Sequence, residues 1–197
     1  ETNDGAADKK VSPASKSVLF IGKNKKRLRE FAYNIDYDSF TTPDMTVLSE
    51  HLGYGLLEEC AFANYPNNVL WVRRGDGVLL GFTYYRDQDV TAWHRHTIAG
   101  TNAKVKSIAV IPGIDDAFDT LYMIVERTIN GATKQYVEFL EDDYREADGD
   151  TKDDQFYVDS GLTYSGGSTS SISGLDHLEG QTVAVLNNGA VEANKTV

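Results

Sequence analysis

Val69-Leu70-Trp71-Val72-Arg73-Arg74, then Gly75-Asp76-Gly77, then Val78-Leu79-Leu80-Gly81-Phe82-Thr83-Tyr84-Tyr85 is the stretch that sets the fold class. Two β-branched and aromatic runs of matching length flank a tight reversal signal, which predicts a β-hairpin. Leu56 to Ala63 precedes it across Tyr65-Pro66-Asn67-Asn68, and Val90 to His96 follows after Arg86-Asp87-Gln88-Asp89. Turns at nearly even spacing make residues 56–96 a four-stranded antiparallel meander, the unit of a propeller blade or a small sheet.

Similar hairpins stand on either side. Phe20, Trp71 and Tyr122 are 51 residues apart at each step, and Phe31 and Tyr33 stand 51 before Phe82 and Tyr84. The third copy returns through Lys134 to Phe139 after a turn at Asn130-Gly131. A repeat of this length built of hairpins points to a propeller or an array of sheets. The expected fold is therefore all-β, with antiparallel propeller-like blades forming a partial propeller over 17–140 and repeats at 17–40, 56–96 and 104–140. Phe20, Trp71 and Tyr122 are expected at equivalent places.

Outside the hairpins, residues 1–16 are polar and without periodicity, and are expected to be a tail or linker. Residues 42–52 predict the one short helix, an insertion beside the sheets. Thr42 would cap it, Pro43 and Asp44 suit its first turn, Met45, Leu48 and Leu52 form its apolar face, and Gly53 ends it. Lys104 to Ile111 is apolar enough to be buried on both faces. Asp115-Asp116 and Asp119 then fill a polar loop. Residues 141–154 carry eight acids against two bases and read as an acidic, extended linker. Beyond it, 155–197 predicts a small β domain, truncated by the end of the chain. Its strand-like runs include Phe156 to Val158, Leu162 to Tyr164, Ser171-Ile172 and Thr182 to Leu186, with a hairpin turn at Asn187 to Ala190. Leu175 and Leu178 are expected to tuck inward from the connector at 174–180.

The chain has 197 residues, a net charge of -11 and one cysteine. Its length supports one large or two small domains, and apolar runs stay far below the ~20 residues of a membrane span. Residues 1–16 lack the apolar core of a signal peptide. Cys60, alone, has no internal disulfide partner and is expected as a buried strand thiol. The acidic balance argues against retention on nucleic acid, whose phosphates require a basic face. Basic residues are concentrated in 1–35, where eight Lys and Arg stand against four acids. The run Lys23 to Arg27 is read as a solvated hairpin tip, with contact to an acidic partner as the other reading.

Val69 to Gly77, Thr83 to Val90, Ala92 to His96 and Thr128 to Gly131 resemble the run shared by tail nozzle proteins of short-tailed bacteriophages, also called tail tubular protein B. Asp159 to Leu162 with Gly174 to Gly180 is similar to the small β domain that follows in these proteins, often labelled with the name of a ubiquitin-activating-enzyme (FCCH-like) module. The resemblance covers most of Ser17 to Val197. Because such proteins are much longer, it implies a middle portion of a virion structural protein. The whole would be a ring-forming homo-oligomer, a hexamer by resemblance, located in the virion tail and meeting other tail and adaptor proteins. It would form the tube through which genomic DNA is ejected without sequence-specific binding. No catalytic residue comes with the resemblance.

Candidate sites are few, and no catalytic residue, cofactor-binding residue or metal ligand is expected. His94 and His96 project to one face of a strand, where a metal would require a third ligand that the neighbouring sequence does not supply. Arg86 to Asp89 and Asp115-Asp116 are oxygen-rich but lack the glycine and terminal glutamate of a calcium loop, so calcium stays open. Glu58 and Glu59, adjacent in a strand, face opposite ways. Hydrolase and phosphate-loop motifs are missing from the sequence. The alternative is a carbohydrate-binding or glycan-hydrolysing propeller using Trp71, Trp93 and tyrosines as stacking platforms; the other reading of those aromatics is packing between blades.

Overall fold

The computed structural model describes residues 5–113, 118–141 and 157–197. The predicted central meander is present as β5 (Leu57–Ala63), β6 (Val69–Arg74), β7 (Leu79–Tyr85) and β8 (Val90–His96), paired antiparallel in sequence order. A bulge between Leu57 and Glu59 marks its first strand. A first meander precedes it: β1 (Ser12–Ala14), β2 (Ser17–Ile21), β3 (Leu28–Asn34) and β4 (Ser39–Thr41). A three-stranded sheet follows, β9 (Lys104–Pro112), β10 (Asp119–Ile129) and β11 (Ala132–Phe139), with β10 central. The fourth sheet is a hairpin of β12 (Thr182–Asn187) and β13 (Ala190–Thr196). The described residues are thus all-β, with four antiparallel sheets.

Alternation of side chains across the central sheet explains how three sheets stack. Leu70, Val72, Leu80, Phe82 and Tyr84 share one apolar cluster with Ala14, Leu19, Ile21 and Leu28 of the first sheet. Trp71, Val69, Leu79, Ala61 and Ala63 share another with Val105, Ile108, Leu121, Met123 and Val125 of the third. The central sheet is therefore buried on both faces. Its adjacent acids serve opposite neighbours, as their spacing predicts. Glu58 pairs with Lys9 at 2.7 Å and Lys25 at 3.0 Å. Glu59 accepts from Arg73 Nε at 3.1 Å, Ser107 Oγ at 3.0 Å and the Ile108 amide at 3.2 Å, joining β5 to β9.

The 51-residue spacing holds in part. Phe20, Trp71 and Tyr122 all lie on the second strand of the hairpin-bearing part of their sheets, β2, β6 and β10. Trp71 and Tyr122 both face away from the preceding sheet, since Leu121 and Met123 on either side of Tyr122 pack toward the central sheet. Phe20 does the opposite. Leu19 and Ile21 face the central sheet, so Phe20 projects from the other side. The cause is register. Val18 pairs with Phe31, whereas Leu70, 52 residues after Val18, pairs with Phe82. A one-residue difference in the hairpin turn flips the phase of the whole strand.

Three other expectations are corrected. The polar segment 1–16 is not merely a tail, because Ser12–Ala14 forms β1, zipped to β2 with Ser12 and Ala14 buried. Small side chains there let β1 lie against β5, and Ser12 Oγ reaches Cys60 Sγ at 3.5 Å. The predicted helix at 42–52 is absent as such; residues 45–48 are turns and Glu50–Gly55 is a 3-10 helix. Its intended first turn is otherwise engaged: the Asp44 backbone forms an isolated antiparallel β-bridge with Arg29, Met45 N donates to Leu28 O at 2.9 Å, and Asp44 Oδ1 accepts from Thr46 N at 2.8 Å in a local turn. Leu48, on the intended apolar face, is 95% exposed. In the C-terminal region, Leu162 to Tyr164 and Ser171-Ile172 are not strands, while the hairpin turn at Asn188-Gly189 is as predicted, with φ of 48° and 79°. Residues 190–196 are themselves the partner strand of β12. The Asp115-Asp116 pair, Phe156 and residues 142–154 of the acidic linker lie outside the described residues.

The third sheet contains a charge that the apolar pattern hides. Arg127 on β10 is buried; its Nε donates to Ala99 O at 2.9 Å and its guanidinium is gripped by both oxygens of Glu138, with Nη2 at 2.9 Å from Oε2. Removing one partner of a buried pair leaves a charge without compensation. Glu138→Ala is expected to cost roughly 3 kcal/mol in urea unfolding, whereas Arg127→Met, which removes the charge and retains the length, is expected to cost less. Equal losses in the two variants would contradict this account.

Candidate functional site

The densest polar grouping bridges the first and central sheets. Glu30 stands on β3 between Leu28 and Ala32, on the phase that faces the central sheet, and is buried. Arg86, in the turn after β7, places Nε 2.8 Å from Glu30 Oε1, a charge contact without the alignment of a hydrogen bond. Beside it, Tyr84 OH shares a 2.8 Å hydrogen bond with Ser17 Oγ, which also donates to Ala14 O at 3.0 Å. Burial chiefly, with Glu30 adding to it, pushes the Tyr84 hydroxyl up to about 12, so it stays protonated. Next to this grouping is a cleft of about 280 Å³ lined by Ser15, Phe62, Asn68, Tyr85 and Asp87 among others. The Ser17 hydroxyl is partnered by a carbonyl and a phenol, neither of them a base, so the arrangement ties two sheets together and does not activate a nucleophile.

Sequence reading missed this grouping. The signal was available: one acid in the inward phase of Leu28-x-Glu30-x-Ala32 demands a cationic or hydroxyl partner from the facing sheet.

The histidine pair is where the strand pattern places it, on the Trp71 side of β8, but it is half-buried and not solvent-facing. His94 Nδ1 and His96 Nε2 are 2.7 Å apart, and Trp71 meets both rings. Gly81 makes the room, since a Cβ there would come within 1.9 Å of His94 Cε1. Among the described residues no third His, Cys, Asp or Glu joins them. Burial lowers the pKa of both imidazoles; for His96 the neighbouring His94 adds to this and Asp159 opposes it.

The remaining candidates are structural in placement. Cys60 is buried and its thiol is pushed up by burial, which disfavours thiolate chemistry. Trp71 belongs to the core between the central and third sheets, and Trp93 packs against the other core with its indole N–H donating to Met45 O at 2.8 Å. Neither tryptophan is an open stacking platform, which is a correction to the carbohydrate alternative. Arg86–Gln88 is a turn of 3-10 helix closed by Asp89 in the left-handed region. Its Asp87 lies 3.9 Å from Lys16. Among the described residues no helix is long and apolar enough to cross a membrane. No protein-family model matches the chain, and no curated protein matches it.

Because the folded state disfavours protonation of His94 and His96, the unfolded chain binds protons more readily once pH falls below the ordinary value of 6.5. Stability from the pair is fully present above that value and is lost as pH drops through it toward the lowered values. The urea midpoint is expected to fall between about pH 7.5 and about pH 5.5, and to fall less in the His94→Gln/His96→Gln variant. An identical fall in both proteins would assign the effect elsewhere.

Proposed function

We propose that this chain is a structural component of a bacteriophage tail, part of the nozzle or tube through which genomic DNA leaves, and that its stacked meanders are blades of a propeller-like body. The observation that carries the reading is the stack itself. Closest approaches between sheets run through their first strands, β1 against β5 and β5 against β9. The outer strands β4, β8 and β11 are largely exposed, as expected of blades that converge toward an axis and splay at the rim. The motifs that resemble the nozzle family, Val69 to Gly77, Thr83 to Val90 and Ala92 to His96, cover the hairpin and rim of the central blade.

Polar side chains in this body join one sheet to the next: Glu58, Glu59, Glu30 with Arg86, and Ser17 with Tyr84. That use suits an assembly component. The net charge of -11 suits a conduit, because an acidic wall does not trap passing DNA by counterion release. In this reading the parent protein forms a ring, its partners are tail and adaptor proteins, and the chain has no catalytic role.

The direct test is to fit this fold into a tail reconstruction, where it is expected to match density at the distal tube. Duplex DNA is expected to pass a gel-shift assay unretarded at physiological salt. Hydrolysis of a host glycan at about 1 per second or faster would replace this reading with the enzyme alternative.

A further inference from the structure

The repeat supplies an internal control for which surfaces are meant to be covered. Phe31 and Tyr33 on β3 stand 51 residues before Phe82 and Tyr84 on β7. Both pairs lie on the third strand of a meander and on the side away from the following sheet. In the central sheet, where a preceding sheet is present, Phe82 and Tyr84 are 1% and 2% exposed. In the first sheet, Phe31 and Tyr33 are 38% and 47% exposed, and Phe40 on β4 stacks on Phe31 at 4.8 Å in the open.

The far end of the stack shows the complementary half. Trp71 on β6 is buried beneath the third sheet, and its counterpart Tyr122 on β10 sits on the side of that sheet that no other described sheet covers. Beside Tyr122 are Phe139, its pair on β11, and Ile124 with its own pair Val137; Ile124, Val137 and Phe139 are all exposed. One end therefore presents the face that normally receives a preceding sheet. The other presents the face that normally receives a following one.

We propose that the Tyr122-Ile124-Val137-Phe139 face of one molecule docks on the Phe31-Tyr33-Phe40 face of a second copy, head to tail. The contact continues the packing that already joins the first sheet to the central sheet and the central sheet to the third. Aliphatic Ile124 and Val137 against aromatic Phe31 and Phe40 reproduce the chemistry of those interior contacts. Because the two faces differ, the contact is heterologous and propagates to rings or open stacks instead of closing at two. Apolar burial drives it and the shared negative charge opposes it, so added salt strengthens it. The inference stands on the repeat and the exposures, and does not depend on the tail reading.

Sedimentation over a concentration series up to about 500 µM, enough to register weak association, tests it. The unaltered chain is expected to associate with rising concentration, more so at higher salt. Phe40→Glu and Val137→Glu each spoil one face at an exposed position, and each is expected to be monomeric with an unfolding midpoint close to that of the unaltered chain. Mixed in equal amounts, the two variants retain one intact pair of faces, and a 1:1 dimer that grows no further is expected. Should either variant misfold, Tyr33→Lys and Phe139→Lys repeat the test on the same faces. An unaltered chain that stays monomeric throughout overturns the proposal. So does self-association surviving in one single variant, which would mean like faces meeting, or a mixture that fails to pair.

Discussion

Everything in the architecture depends on the central hairpin having no polar face. Val69, Leu70, Trp71 and Val72 on β6 and Leu79, Leu80 and Phe82 on β7 are all buried. Full burial of such a side chain contributes about 1.5–3 kcal/mol, so neither side of this hairpin can be left to water. One meander must lie on each side. The alternation that puts Leu70 and Val72 on one face and Val69 and Trp71 on the other then decides which core each neighbour shares. The first and third sheets owe their places to this strand pair and keep one face each that no other described sheet covers.

Polar groups follow from the same geometry. A carboxylate on a strand between two sheets is exposed to whichever neighbour its phase selects, and Glu58 and Glu59 reach the basic N-terminal segment and β9 respectively. The bases gathered in residues 1–35 thus acquire a structural use: Lys9 and Lys25 meet Glu58, and Arg27 meets Asp44 at 3.0 Å. With Lys9 first and Lys25 second, these partners hold the Glu58 carboxyl below its ordinary range. Seen this way, the Glu30, Arg86, Tyr84 and Ser17 grouping is a fastening between layers that happens to border a cleft.

Much of the fold was legible because hairpins announce themselves locally. The central meander, the buried Cys60 and the Asn188-Gly189 turn all follow from residue type and period. The Lys104 to Ile111 run, expected to be buried on both faces, buries only Val105 and Ile108 toward the central sheet and leaves Lys106, Ala109 and Ile111 exposed, because no described sheet lies on its other side. What failed depended on partners distant in sequence. Ser12–Ala14 looks polar, yet becomes a strand because β2 and β5 offer it pairing and a small-residue slot. Thr42 to Leu52 carries helix signals, but its first residues extend the edge of β3 and Asp44 turns its side chain back on its own backbone. Spacing of 51 captured the third strands faithfully and misled on β2, since one residue in a turn is invisible to composition and reverses every side chain behind it. For the candidate site, the histidine face was readable from a spacing of two, while the cross-sheet partners of Glu30 and Arg127 needed the sheets assembled first.

Native-state hydrogen exchange across a denaturant series tests most directly whether the two-faced hairpin organises the stack. If it does, amides of β6 and β7, Val72 and Leu80 among them, exchange only through global unfolding, with protection equal to the unfolding free energy, while β4, β8 and β11 exchange through smaller openings. Exchange of β6 and β7 at the rate of the exposed outer strands, with the first or third sheet more protected than the centre, would contradict it.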